Sequence, residues 1–447
     1  MYAPGHLGEL TRYLPFELVD AVLEETRRRE RRLRVLPSRV GVYFVLALGL
    51  FPGLGYRRVW DKLVAGLATL APAPPTAKAL RDLRRRVGAA PLQALCEVVA
   101  GPLAQPHTPG TRFGRWRTVS FDGCSSIKAP DTARNLGWLG KARAVRGVTG
   151  YPMVAVMTLV ETGTRALIGA VFGPAASETG YAAQLLPLLS PGMLVLADRG
   201  FDATGFLEQL AATGAQFLIR MTASRRPPVV ARLDDGSCLA RIGTLTLRII
   251  TAQVSVACAD GTRWSGSYRW ATTLTSHRRY PATTLARLYH ERWEHETAYL
   301  SLRHTLLGGR VLRSGDPAGL QQELWALLTV YQLLRHAIVT AVEHPGGIDP
   351  DRASFTIALT TAQNLLANAS NSLDDTTDLP GQIGKAVLAE PAPPRRLRVS
   401  ARKVKSALSR YNKADPHRPA RSTKIANLHT AITPAPHETP LTAAPDP

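Results

Sequence analysis

Asp122, Asp198 and Glu296 are the residues of this 447-residue chain whose types and settings could do chemistry. Three gathered carboxylates offer hard oxygen ligands to divalent metals. Two such metals roughly 3.5–4 Å apart suit phosphoryl transfer. Glu296 lies in LARLYHERWEHETAYLSLRHTLL, from Leu285 to Leu307. At about 100° per helical residue, Leu285, Tyr289, Arg292, Glu296, Leu300, Arg303 and Leu307 fall in one stripe, with Trp293 at its edge. One carboxylate and two guanidiniums thus share a face with leucines. Buried charge is costly unless paired or bound to metal. The face therefore implies either a metal and phosphate site or an Arg–Glu–Arg network under a snorkelling helix. Glu291 and Glu294 fall off the stripe and are expected to be dispensable.

The two aspartates need strands to carry them. Val119 and Phe121 alternate with polar neighbours, so Arg117 to Phe121 reads as a short strand with Asp122 and Gly123 at its end. Met193 to Ala197 is a continuous apolar run, suited to a strand buried on both faces, and Asp198 follows it. Open α/β folds gather sites at the carboxyl ends of strands. Taken singly, each aspartate also reads as a turn-forming residue before a glycine. Tyr151–Val160 and Ala166–Phe172 read as strands joined by a Thr-Gly-Thr turn. Glu178 to Leu186 reads as a helix with Ser177 as N-cap and Pro187 as stop. A helix from Thr204 to Ala212 and a strand from Gln216 to Met221 complete the series.

That order of strand, strand, strand, helix, strand, helix, strand and a late acidic helix resembles a ribonuclease-H-like core. Tyr289, Arg292, Glu296 and Arg303 are spaced like the Y-R-E-K signature of the insertion-sequence-four family of DDE transposases, with Arg in place of Lys. Asp122-Gly123-Cys124 and Asp198-Arg199-Gly200 resemble its DGT and DRG boxes, Cys124 standing for Thr. Ala129–Asn135 and Phe16–Thr26 are family-like as well.

The resemblance implies an α/β fold whose ribonuclease-H-like catalytic core is interrupted by a β-rich insertion, with helical N-terminal and C-terminal regions. It implies a transposase that cuts DNA at mobile-element ends and joins them to target DNA. The alternatives are a related nuclease without strand transfer and a catalytically silent DNA-binding descendant. Asp122 would bridge two Mg²⁺ ions, or Mn²⁺ in their place, with Asp198 and Glu296 each serving one. Tyr289, Arg292 and Arg303 would hold phosphates, Arg suiting bidentate contact. Trp293 would stack on an unpaired base, or simply fill the core. The partners implied are double-stranded DNA, at element ends and target, and a second copy of the chain on that DNA. The setting implied is the bacterial cytoplasm, at the nucleoid.

Composition narrows the classes. A net charge of +21 and a pI near 10.4 favour a polyanionic partner. The basic residues cluster at Arg27, Arg28, Arg29, Arg31, Arg32 and Arg34, at Arg81, Arg84, Arg85 and Arg86, and from Arg395 to Lys424. Cys96, Cys124, Cys238 and Cys258 form no CxxC pair, so neither a zinc site nor a disulfide framework is suggested. The start shows no apolar signal region, and Val40 to Leu54 is too short and broken to span a membrane. A nucleotide-binding loop ending in Gly-Lys-Ser or Gly-Lys-Thr is missing, so ATP is not implied. His290 and His295 in HERWEH lie one residue too far apart for a shared zinc on a helix. The expected division is a helical basic domain over 1–107, the catalytic core over 108–221 and 276–345, a β-rich insertion over 222–275, and a helical region over 346–447 with a Pro-rich basic tail that is flexible near its end.

Overall fold

The computed structural model describes residues 6–30, 32, 34–65, 74–141, 143–144, 147–148, 150–344, 347–368, 380–394, 398–399, 403–404, 413–414 and 423–434. Arg31 and most of the span from Arg395 to Ser422 lie outside the described residues. The chain opens with helices α1 (Phe16–Glu25), α2 (Ser38–Leu50), α3 (Tyr56–Leu63), α4 (Ala77–Val87) and α5 (Ala90–Val99). Next come β1 (Trp116–Lys128), the short α6 (Ala133–Leu139), β2 (Met153–Glu161), β3 (Leu167–Gly173), α7 (Glu178–Ala183), β4 (Met193–Ala197), α8 (Thr204–Ala212) and β5 (Gln216–Arg220). Apart from α6, this is the order expected from the sequence. Four strands follow between 222 and 275: β6 (Val229–Arg232), β7 (Cys238–Ile242), β8 (Leu245–Cys258) and β9 (Arg263–Thr272). The chain continues through α9 (Ala282–Tyr289), α10 (Trp293–Leu300), α11 (Pro317–Glu343), α12 (Phe355–Asn368), α13 (Gly381–Ala389) and β10 (Thr423–Ile432). It forms two compact units, Met1–Leu188 with Arg292–Pro394, and Leu189–Glu291 with Arg395–Pro447.

In the first unit, β1, β2 and β3 pair antiparallel. The Thr-Gly-Thr turn between β2 and β3 needs its glycine for space, because a Cβ on Gly163 would lie 2.6 Å from the Gly110 carbonyl oxygen. α2 is apolar nearly all round and almost wholly buried, as such a helix must be. α11 is the long core helix. Two of its buried glutamines reach backbone groups of neighbouring elements. Gln322 donates to the carbonyls of Arg84 (2.9 Å) and Gly88 (2.6 Å). Gln332 accepts from Leu167 N (2.8 Å) and donates to the carbonyls of Val99 and Gly101. α4, α5 and the start of β3 are thereby tied to one helix. α11 is also long and apolar enough to cross a membrane, but 83% of its most apolar window is buried in the protein.

In the second unit, β4 and β5 pair parallel, with α8 between them in sequence. All five residues of β4 are buried, which accounts for its unbroken apolar run. β5 pairs with β9, β9 with β8, and β8 with both β7 and β10. The described part of the tail includes the strand β10, and the end expected to be flexible lies outside the described residues. Ile432 stands opposite Ala252, Leu428 opposite Val256 and Ile425 opposite Cys258. The tail satisfies the edge of a strand that would otherwise be open. Residues 435–447 lie outside the described residues.

Candidate active site

Asp122 is held inside β1, not at its end. Pairing with β2 continues through Asp122↔Thr158, Gly123↔Met157 and Cys124↔Val156, and shifts only between Cys124 and Ile127. The strand is longer than its alternation suggests because β2 supplies ladder partners across this stretch. Asp122 Oδ1 accepts from Gly123 N at 2.9 Å. A Cβ on Gly123 would lie 3.0 Å from Glu178 Oε1 and 3.3 Å from Met157 Cε. The glycine thus makes room for a carboxylate that its sequence setting does not single out. Glu178 opens α7 behind its N-cap Ser177, where an acid is explained by the helix dipole alone.

Arg292 links Asp122 to Glu296. Its guanidinium lies 3.4 Å from Asp122 Oδ2 and 3.7 Å from Glu296 Oε1. The Arg292 side chain is 9% exposed, that of Asp122 19% and that of Glu296 47%. One buried cation therefore stands between two carboxylates from different elements. The helix is not the single stripe expected from 285 to 307. A 3₁₀ turn at His290–Arg292 separates α9 from α10, and Ser301–Leu306 is a π-helical segment. A 3₁₀ turn winds tighter than an α-helix and a π turn looser, so the phase drifts along the segment. The buried face of α10 is Glu294, His295, Ala298 and Tyr299, while Glu296 and Leu300 are exposed.

That buried face fastens α10 to the strand bearing Asp122. The His295 ring bonds to Ser120 Oγ through Nδ1 (2.8 Å) and to Thr158 Oγ1 through Nε2 (2.6 Å). Ser120 and Asp122 share a face of β1, and Thr158 stands opposite Asp122. Tyr299 Oη donates toward the Asp122 carbonyl at 2.8 Å. Burial, and after it the charge of Arg292, pushes the His295 pKa down to about 3. Burial, then the Asp122 charge, pushes the Tyr299 phenol well above its usual value. Both groups are neutral near pH 7 and act as fixed hydrogen-bonding wedges. Hydrogen-bonding side chains at i and i+4 on one helix face are the signal available for them.

Trp293 is half-buried, with the Arg292 guanidinium 5.3 Å from its ring. Arg303, in the π segment, makes no ion pair among the described residues, so the expected alternative of an Arg303–Glu296 pair is not what holds Glu296. Asp198 and Tyr289 belong to the second unit. Asp198 closes β4, and its Oδ1 accepts from Gly200 N at 2.7 Å. Tyr289 is buried with its ring 5.7 Å from that of Trp270.

The family model for the insertion element 4 transposase N-terminal region matches residues 4–97, and that for a transposase DDE domain matches residues 124–333. The second match contains Asp198 and Glu296 and begins two residues after Asp122. Transposase InsG for insertion sequence element IS4, from Escherichia coli (strain K12), is 26% identical over 369 residues, covering 78% of this chain and 80% of the relative. The chain belongs to the insertion-sequence-four family of DDE transposases. It is a DNA transposase with an α/β, ribonuclease-H-like core. Among solved structures, a piggyBac transposase synaptic complex with hairpin DNA matches 86% of this chain and 85% of that one at 11% identity, with a TM-score of 0.38, too slight a likeness to inform the fold.

Glu294 corrects the expectation that it is dispensable in this transposase. Arg165 Nε donates to its Oε2 at 2.6 Å, and the same guanidinium pairs with Asp351. All three side chains are at most 4% exposed. The network holds α10 against the β2–β3 turn and the 3₁₀ turn at Pro350–Arg352. Glu294 is two residues from Glu296, yet one is structural and the other faces outward. Carboxylate oxygens at Asp122, Asp198 and Glu296 are the hard donors that magnesium takes. Among the described residues, no group of three His, Cys, Asp or Glu side chains is spaced to hold an ion by itself.

Proposed function

We propose that Asp122, Asp198 and Glu296 are the catalytic carboxylates of this transposase and hold two Mg²⁺ ions, which Mn²⁺ can replace. Divalent ions at these carboxylates would supply Lewis-acid activation of the attacking oxygen and stabilisation of the leaving oxygen. The observation that carries the reading is the convergence of Asp122 and Glu296, from separate elements, on the guanidinium of Arg292. Arg292 neutralises and orients the two acids and contacts a phosphate beside the scissile bond. Tyr289 and Arg303 hold neighbouring phosphates. Trp293, braced by Arg292, stacks on an unpaired base. The substrate is double-stranded DNA at the element ends and then at the target. Two copies of the chain act together on that DNA, in the bacterial cytoplasm at the nucleoid. The span 1–107 contributes DNA binding and dimer contacts, 108–221 with 276–345 the catalytic core, 222–275 the β-rich insertion, and 346–447 the helical C-terminal region with its basic tail. No observation favours the nuclease or the silent alternative.

The test is cleavage and strand transfer on a duplex carrying the element's terminal repeats. Asp122→Asn, Asp198→Asn and Glu296→Gln are each expected to abolish cleavage in Mg²⁺ while retaining DNA binding. Near-normal cleavage by any one variant removes that residue from the site. Cleavage by the parent without joined products would instead select the nuclease reading.

A further inference from the structure

A cavity of about 460 Å³ opens in the first unit between α4, α6 and the start of α11. Five arginines line it, Arg81, Arg84, Arg85, Arg134 and Arg313, against one aspartate, Asp316. Asp316 is already used, since its Oδ1 accepts from Gly319 N and caps α11.

The arginines divide by role. Arg84 and Arg313 are spent on the fold. Arg84 donates to Gln322 Oε1, Tyr56 Oη and the Gly319 carbonyl at 2.7, 2.9 and 2.8 Å. Arg313 donates to carbonyls of the segment after α2, at Phe51 and Leu54. They share one carboxylate, Glu323, at 3.8 and 3.7 Å. They therefore supply fixed positive charge to the cavity rather than free donors. Arg81, Arg85 and Arg134 are exposed, and none makes an ion pair among the described residues. Arg81 and Arg85 are one turn apart on α4, where like charges repel. Three free planar forks over a rigid cationic floor match a phosphodiester, which arginine grips bidentately.

We infer that this cavity is a phosphate subsite for the backbone of bound DNA, separate from the acidic site and sharing no residue with it. The inference rests on the transposase reading for its choice of polyanion. Each phosphate held there releases counterions and contributes about 0.9 to the slope of log affinity against log salt.

The test compares the parent with Arg81→Gln/Arg85→Gln/Arg134→Gln and with the single Arg134→Gln. Duplex affinity is measured between about 50 and 200 mM salt, alongside thermal protection by inorganic phosphate. The triple variant should melt as the parent does, bind duplex of any sequence more weakly, and show a salt slope shallower by about 0.9 or more. Arg134→Gln should show part of that loss. A folded triple variant with the parent's affinity and slope overturns the subsite. So does a variant that loses protection by inorganic phosphate alone while binding DNA normally, because the cavity then takes a small anion. If the parent cleaves terminal-repeat DNA in the same series, either result leaves the transposase reading standing. A parent that neither binds nor cuts DNA overturns both.

Discussion

Glu294 and Glu296 sit on one helix two residues apart, and their environments assign them opposite roles. Glu294 is buried against Arg165, with Asp351 on the same guanidinium. Glu294→Gln is expected to cost about 3–5 kcal/mol, the usual result of breaking a buried pair. Glu296 is half-exposed and touches only one edge of Arg292 at 3.7 Å, so Glu296→Gln should leave the melting temperature unchanged and still abolish cleavage. Thermal unfolding and cleavage run on both variants separate the roles, and a stable Glu294→Gln would break the assignment of that network. Arg303 makes no ion pair among the described residues, so its removal should spare the fold. Arg303→Lys is expected to retain activity. Arg303→Ala should lose roughly 10²–10³ in the chemical step, about 2.7–4 kcal/mol, as expected when one electrostatic clamp is removed. Single-turnover cleavage measures this, and a parent-like rate would remove Arg303 from the site.

At the scale of elements, α10 and β1 must be held in register for Asp122 and Glu296 to serve one site. His295 does this through Ser120 and Thr158, and Tyr299 through the Asp122 carbonyl. His295→Ala would take the ring partner from the buried Ser120 hydroxyl, at about 1–3 kcal/mol, while Thr158 Oγ1 keeps its bond to Tyr299 Oη. The expected outcome is a lower melting temperature together with a lower kcat, DNA affinity being preserved. A folded variant with the parent's kcat would show that this anchor is not what aligns the acids. The break between α9 and α10 belongs to the same logic. A continuous helix would put Tyr289, Arg292 and Glu296 in one stripe. The 3₁₀ turn instead lets Arg292 point inward while Glu296 points out.

At the scale of the molecule, positive charge and the β10 strand both reside in the C-terminal region. Removing everything from Arg395 onward would delete β10 from the edge of β8 as well as the basic residues. That truncation is expected to destabilise the second unit, not merely to weaken DNA binding. Replacing Arg395, Arg396, Arg402 and Lys405 by Gln keeps β10 and isolates the charge. This variant should melt as the parent does and show a salt slope shallower by about 0.9 for each DNA phosphate that these side chains neutralise. An unchanged slope would mean that these residues do not touch DNA.

Much is legible in the sequence because it is local. The apolar run of β4, the cap at Ser177, the length of α8 and the spacing from Tyr289 to Arg303 depend on neighbours within a few residues. They lead to the strand and helix order and to the family. The role of each charge is not legible, because it depends on which distant element arrives beside it. A single 100° period cannot anticipate a 3₁₀ turn and a π segment, so it makes Glu294 look dispensable and Glu296 look buried. Alternation alone puts Asp122 at a strand end, because the ladder partners of Asp122 and Gly123, Thr158 and Met157, lie on another strand. The pairing of β10 is not legible either, because the edge that receives it belongs to β8, far away in sequence. Residue types and spacing determined the chemistry available to this protein. The tertiary structure decided which carboxylate meets the guanidinium in the open and which is locked in the core, because burial and pairing are properties of the packed chain.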